Sequence, residues 1–80
     1  MSKLSTSTQL GIMLASRRKA LGLTQSDIAT RLGISQNRFS ELEKQPSHLS
    51  VDRLLTLSGI LGLELLLQER PQDTSHGSEW

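Results

Sequence analysis

The sequence has no cysteine, almost no aromatic residues and no long apolar run, and each absence excludes a class of protein. Without cysteine, disulfide bonds, thiolate metal sites and a cysteine nucleophile are excluded. His48 and His76 are the only histidines, which argues against a conventional zinc site. No apolar stretch approaches the roughly 18 residues that a membrane-spanning helix needs. Lys3 is not followed by the apolar core of a signal peptide, so the expected location is the cytoplasm.

What the sequence does contain favours a small helical domain. The 80 residues suit a single core, and 16 of them are leucine. Leucine, alanine, glutamine and arginine favour helices, whereas β-branched residues are few. Residues 1–70 carry nine Lys and Arg against six Asp and Glu, and residues 71–80 carry only Asp73 and Glu79. A mildly basic body permits nucleic-acid binding without requiring it.

Local signals divide the chain into four helices. Residues 1–5 are polar and are predicted to form a flexible arm, and residues 6–70 form the folded domain. Thr6 and Gln9 form a capping box at the start of helix 1, and Gly22 follows its end. Thr24, Ser35 and Ser50 are the predicted N-caps of helices 2, 3 and 4. The stripe predicted to face the core of helix 1 is Leu10, Leu14, Arg18 and Leu21. The corresponding stripe of helix 4 is Val51, Leu54, Leu55, Leu57 or Ser58, and Leu61.

After Gly62 the pattern of apolar residues changes. Leu63, Leu65 and Leu67 alternate with other residues at period two, which predicts a short strand over residues 63–69. Leucine prefers helices, so a fifth helix is the alternative. From Pro71 onward the chain is polar and rich in helix breakers, and residues 71–80 are predicted to be a disordered tail.

The block from Gln25 to Glu43 has the spacing of a helix-turn-helix. Two short helices meet at Gly33, where glycine permits a sharp corner, and Ala29 is small where the helices must approach. Phe39 and Leu42 would anchor helix 3, together with Ile34. In such a motif the second helix enters the major groove of DNA.

The opposite face of helix 3 carries short polar side chains. Asn37, Ser40, Glu41 and Lys44 point away from Phe39, and Gln36 lies at the edge. Glutamine and asparagine can form two hydrogen bonds to adenine, and serine can bond several bases. The helical wheel by itself is equally compatible with an ordinary solvated face.

The motif resembles the lambdoid-repressor or XRE-type helix-turn-helix family over about residues 8–61. The resemblance is carried by Gly22-Leu23-Thr24-Gln25, Gly33-Ile34-Ser35-Gln36 and Leu42-Glu43. The Leu-Gly-Leu-Glu-Leu-Leu-Leu segment and an ending in Glu79-Trp80 further resemble the HipB-type antitoxins. That resemblance implies an all-α, lambda-repressor-like domain of four to five helices with a C-terminal strand that forms an intersubunit lid. It also implies a homodimer that represses its own operon at an inverted-repeat operator and binds a HipA-like serine/threonine kinase toxin.

The resemblance also implies roles for individual residues. Gln25 matches the first residue of helix 2, which bonds a DNA phosphate in this family, and helix N-termini suit anions. Asn37 and Arg38 are bulkier than the residues common at these positions in HipB-type chains, which puts the operator sequence in doubt. The positions that face bases are Ser35, Gln36, Asn37 and Ser40. The expected phosphate neighbours are Ser26, Arg38 and Lys44, with Arg17 left for solvent or phosphate.

Arg18 lies on the apolar stripe of helix 1, where a charge needs a partner. In the family that the chain resembles, the matching Arg and Glu form a buried pair, which assigns Glu43 to Arg18. A phosphate contact is the alternative role for Arg18.

Trp80 is the only tryptophan, and large aromatic residues anchor interfaces, so it is a candidate contact with the toxin. A frayed terminal residue without a role is the alternative.

No catalytic constellation is present in the sequence. It contains no serine–histidine–aspartate set, no carboxylate pair and no glycine-rich phosphate loop, so an enzyme, a cofactor and a small-molecule ligand are not expected.

Two alternatives to the antitoxin remain open. One is a stand-alone regulator of phage or restriction-control type. The other is a protein-interaction module on the same scaffold, with Leu63 to Leu67 as its docking edge.

Overall fold

The structure is a computed structural model that describes residues 3–70. In this part of the chain, capping residues start four α-helices where the sequence predicts them. The helices are α1 (Ser7–Ala20), α2 (Gln25–Leu32), α3 (Gln36–Lys44) and α4 (Val51–Ile60), and a 3₁₀ helix (Pro46–His48) lies between α3 and α4. No helix of the described part is long and apolar enough to cross a membrane.

Each α-helix begins at a serine or threonine whose hydroxyl accepts a backbone N–H three residues further on. The hydroxyl of Thr6 accepts from the N–H of Gln9, and that of Thr24 accepts from Asp27. In both cases the side chain at the third position bonds back to the N-cap N–H, which completes a capping box. Ser35 and Ser50 cap α3 and α4 in the same way.

The core lies where α1, α2, α3 and α4 converge. Phe39 is its largest residue and is 1 % exposed, and Ala29 gives α3 room to approach α2. α2 and α3 meet through Gly33, whose φ of 73° would be strained for a residue with a side chain. The core cluster consists of Leu14, Ile28, Ala29, Phe39, Leu57 and Leu61.

The predicted apolar stripe of α4 is too wide. Val51 is 69 % exposed and Leu55 is 50 % exposed, whereas Leu57 and Ser58 are buried. α4 packs mainly against α2, so only one narrow side of the helix is covered. Leu21, the C-cap residue of α1, is likewise 43 % exposed.

Residues 63–70 (the 63–70 segment) form neither a helix nor a paired strand in the single chain. The fifth helix is therefore not formed. Leu63 packs against the core, but Leu65 is 42 %, Leu66 64 % and Leu67 97 % exposed. A strand needs a neighbour for its backbone hydrogen bonds, and a single chain provides none here. The predicted tail at 71–80 and the first two residues of the predicted arm lie outside the described residues.

Candidate nucleic-acid interface

α3 is held on the body by one face and exposed on the other. Phe39 and Leu42 are buried against α1 and α2, whereas Gln36, Asn37 and Glu41 are exposed. Lys44, in the last turn of α3, is also exposed. The structure thus presents these polar side chains of α3 together on the outside of the domain.

The four residues predicted to face bases differ in how accessible their side chains are. Gln36 and Asn37 are exposed, and neither amide forms a hydrogen bond within residues 3–70. Ser40 is half-buried. The Oγ atom of Ser35 accepts the N–H of Arg38 at 3.0 Å, so this hydroxyl already caps the helix, and its proton and second lone pair remain for other partners.

Four of the predicted phosphate contacts lie at helix ends: Gln25 and Ser26 in the first turn of α2, Arg38 in the first turn of α3 and Lys44 in its last turn. Ser26 and Arg38 are exposed, and Arg38 makes only a long, 3.4 Å pair with Glu41 on the surface. Gln25 and Lys44 line one groove of about 340 Å³ between α1 and the end of α3. The first residue of α2 and the last residue of α3 therefore line the same groove, together with Glu43.

Asp27 fixes the first turn of α2. Its carboxylate accepts the backbone N–H of Thr24 at 2.8 Å. This backbone hydrogen bond, followed by the one from the Thr24 side chain, lowers the pKa of Asp27 below its ordinary value. The carboxylate therefore stays ionised and keeps the capping box closed at neutral pH.

Arg18 and Glu43 form an ion pair between α1 and α3. Arg18 Nε lies 2.7 Å from Glu43 Oε2, and a second nitrogen, Nη2, donates to Oε1 at 3.3 Å. The side chains are only 10 % and 9 % exposed. Arg18 Nη1 also donates to the carbonyl oxygen of Leu23, in the turn before α2. The pair thus connects α1 to α3 and to the turn that precedes α2.

Gln25 joins this pair, a contact that the sequence did not indicate. Its Nε2 donates to Glu43 Oε1 at 2.8 Å. The second proton of the amide stays available for a phosphate. Helical spacing does not reveal this contact, because it depends on the distance between α2 and α3 rather than on a pattern within either helix.

Arg17 has a partner that the sequence also did not indicate. Its Nε donates to the carbonyl oxygen of Leu61 at 2.9 Å, at the end of α4. The predicted phosphate contact of Arg17 gains no support from this arrangement, since the guanidinium is directed at α4. Within residues 3–70, no three potential metal-binding side chains lie close enough together to hold a metal ion.

Comparison with known proteins agrees with this geometry. The sequence model of the helix-turn-helix family matches residues 14–67. Among solved structures, a HipB–O1–O2 complex is 28 % identical with a TM-score of 0.76, and it covers 86 % of this chain and 100 % of its own. A HipA–HipB–O2–O3 complex is 28 % identical with a TM-score of 0.77, over 86 % of this chain and 97 % of its own. No curated protein matches the sequence significantly.

The fold and the exposed face of α3 define a DNA-binding regulator, and the chain belongs to the helix-turn-helix family. Within that family it is of the XRE type, and its structure is similar to that of HipB in the two complexes.

Proposed function

We propose that this protein is a dimeric repressor that binds an inverted-repeat operator and acts as the antitoxin of a HipA-like kinase. The observation that carries the proposal is α3, which is anchored by Phe39 and Leu42 and presents Gln36 and Asn37 to the outside. A helix held in this way can enter the major groove without rearrangement of the body.

In this proposal some side chains of α2 and α3 contact the bases of DNA and others contact its backbone. Gln36 and Asn37 read base edges, supported by Ser35 and Ser40. The DNA backbone is bound by Gln25, Ser26, Arg38 and Lys44. Contacts with the DNA backbone fix the position of a recognition helix on the duplex, while contacts with bases determine which DNA sequence it prefers.

Two copies of the domain are needed at the operator. One domain of this size buries too little surface for tight specific binding. A two-fold dimer presents its two α3 helices about 34 Å apart, one turn of DNA. The exposed leucines of the 63–70 segment support such a dimer, since two strands could pair and cover each other's apolar faces.

Replacing Gln36 or Asn37 with alanine is expected to cost about 1–3 kcal/mol of operator affinity and to relax the base preference. Gln25→Ala is expected to weaken binding to all sequences alike, because it removes a phosphate contact. Fluorescence anisotropy on the operator and on point-substituted operators measures both effects.

Thr56→Ala is the matched control, since Thr56 is exposed on α4, outside the two helices of the motif. Circular dichroism checks that Gln25→Ala is folded, because this variant also loses the bond to Glu43. The docking geometry is wrong if the variants of both helices bind the operator like the parent protein.

The kinase partner is supported by similarity to HipB, which one of the similar structures holds together with HipA. A cytoplasmic location and the absence of a small-molecule ligand are part of the same proposal. If no kinase is recovered with the protein from its native host while operator binding is intact, the stand-alone regulator is the better description.

The Trp80→Ala variant is expected to bind the kinase more weakly by about 2 kcal/mol or more. Trp80 lies outside the described residues, and the argument comes from the sequence, in which it is the only large aromatic residue of a polar segment. Calorimetric titration against the kinase that co-purifies from the native host measures the loss. Deletion of residues 71–80 should reproduce it and leave operator affinity almost unchanged.

His76→Ala is the control within the same segment. Equal kinase affinity of the parent and Trp80→Ala would place the kinase contact on the helical body instead.

A further inference from the structure

Arg17 covers the turn at which the chain leaves α4. Its Nε donates to the carbonyl oxygen of Leu61, the C-cap residue of α4, which is 1 % exposed. A second nitrogen, Nη2, lies beside Gly62, 3.3 Å from the position that a Cβ would take there. The guanidinium of α1 therefore lies directly against the point from which the 63–70 segment starts.

The positive charge of Arg17 stabilises the C-terminus of α4. A helix C-terminus carries a partial negative charge and unpaired carbonyl groups, which cations stabilise. The last turn of α4 contains no basic residue of its own. Arg17 supplies the missing cation from another helix, 44 positions earlier in the chain.

The direction of the 63–70 segment is set by this turn. Gly62 has a φ of 68°, and the N–H of Leu63 donates to the carbonyl oxygen of Ser58 at 2.8 Å. Leu63 itself packs against the core, whereas Leu65, Leu66 and Leu67 are exposed beyond it. A change in the turn therefore changes where these leucines are presented.

Arg17 and Arg18 are neighbours in the sequence but form hydrogen bonds to different parts of the fold. Arg18 bonds Glu43 of α3, which carries the polar face. Arg17 bonds the end of α4, from which the 63–70 segment departs. Adjacent residues of α1 thus bond α3 and the turn from which the 63–70 segment departs.

We infer that Arg17 is a positioning residue for dimerisation, which directs the 63–70 segment relative to α1 and so sets the separation of the two α3 helices. The inference rests on the proposed dimer through that segment. It assigns to Arg17 an action on subunit geometry in place of a contact with a DNA phosphate.

The test compares the full-length parent with Arg17→Ala and Arg17→Lys by analytical ultracentrifugation. The dimer dissociation constant of Arg17→Ala should rise about tenfold or more, because each subunit loses a hydrogen bond from a charged group. The dissociation constant of Arg17→Lys should lie between those of the parent and Arg17→Ala. Lysine keeps a cation at the end of α4 but lacks the several N–H donors of the planar guanidinium. Lys19→Ala, which removes an exposed cation from the same helix, should match the parent.

A second readout separates positioning from a general loss of stability. Operators whose half-sites are moved apart by one base pair should be discriminated by the parent and by Lys19→Ala, but less well by Arg17→Ala. Thermal unfolding is followed in parallel, and Arg17→Lys decides the question if Arg17→Ala does not fold.

The remaining outcomes each overturn a defined statement. A monomeric parent overturns the proposed dimer and this inference with it. A dimeric parent whose dissociation constant and spacing preference are unchanged in both Arg17 variants overturns the inference alone. Unchanged dimerisation with weaker binding to every DNA sequence overturns it in favour of a phosphate contact.

Discussion

Arg18→Ala is expected to destabilise the fold by about 3–5 kcal/mol, because it leaves Glu43 as a buried charge without its cation. Both side chains are about nine-tenths buried, and the pair is bidentate. The variant also loses the hydrogen bond to the carbonyl oxygen of Leu23, in the turn before α2. For a domain of this size, such a loss lowers the melting temperature by more than about 12 °C.

Arg38→Ala is the matched control for this prediction. It breaks the other ion pair of the described residues, whose side chains are 49 % and 67 % exposed and 3.4 Å apart. An exposed pair contributes at most about 1 kcal/mol, so the melting temperature should change little. Thermal unfolding followed by circular dichroism measures both variants.

The double variant Arg18→Met with Glu43→Leu separates the cost of an unpaired charge from the value of the pair. Replacing both charges with apolar residues is often close to neutral, so much of the lost stability should return. If Arg18→Ala melts with the parent and binds the operator more weakly, Arg18 contacts phosphate and the structural role is wrong.

Leu65→Asp is expected to shift the protein from dimer to monomer while the four helices stay folded. Burial of one leucine side chain contributes about 1.5–3 kcal/mol, and a symmetric dimer loses two of them. The dimer dissociation constant should therefore rise by about 100-fold or more. Operator affinity should fall with it, since one domain engages only one half-site.

Sedimentation of the parent and of Leu65→Asp over a range of concentrations measures this effect. Ile12→Asp is the control, because Ile12 is also a large exposed apolar residue, at 64 %, but lies on α1. An unchanged dimer in Leu65→Asp would exclude the strand-paired lid.

Leu66→Asp tests the alternation that predicts a strand. In a strand, Leu66 lies on the face opposite to Leu65 and Leu67, so its substitution should weaken the dimer much less. Equal losses for Leu65→Asp and Leu66→Asp would indicate that the segment does not pair as an alternating strand.

The helix-turn-helix could be predicted in detail because its signals are local. A capping hydroxyl and the N–H that it bonds lie three residues apart, as do Thr24 and Asp27, and a left-handed glycine such as Gly33 acts at one position. The exposed face of α3 follows from helical period alone once Phe39 and Leu42 are assigned to the core.

The width of the buried face of α4 could not be predicted in the same way. Val51 and Leu55 have the same apolar character as Leu57, yet they are exposed because α4 packs mainly against α2. An apolar pattern shows which side of a helix can be buried, but only the neighbouring helices decide how much of it is covered.

The sequence by itself determined the class of this protein: short capped helices, a glycine corner and a polar second helix define the motif through interactions that span at most about four residues. Only the tertiary structure decided which partner each of the two charged side chains bonds. Arg17 and Arg18 are adjacent arginines on one helix, and their partners, Leu61 and Glu43, are 44 and 25 positions away. Contacts at that separation depend on how helices pack, and the packing is set by the whole core rather than by any local pattern.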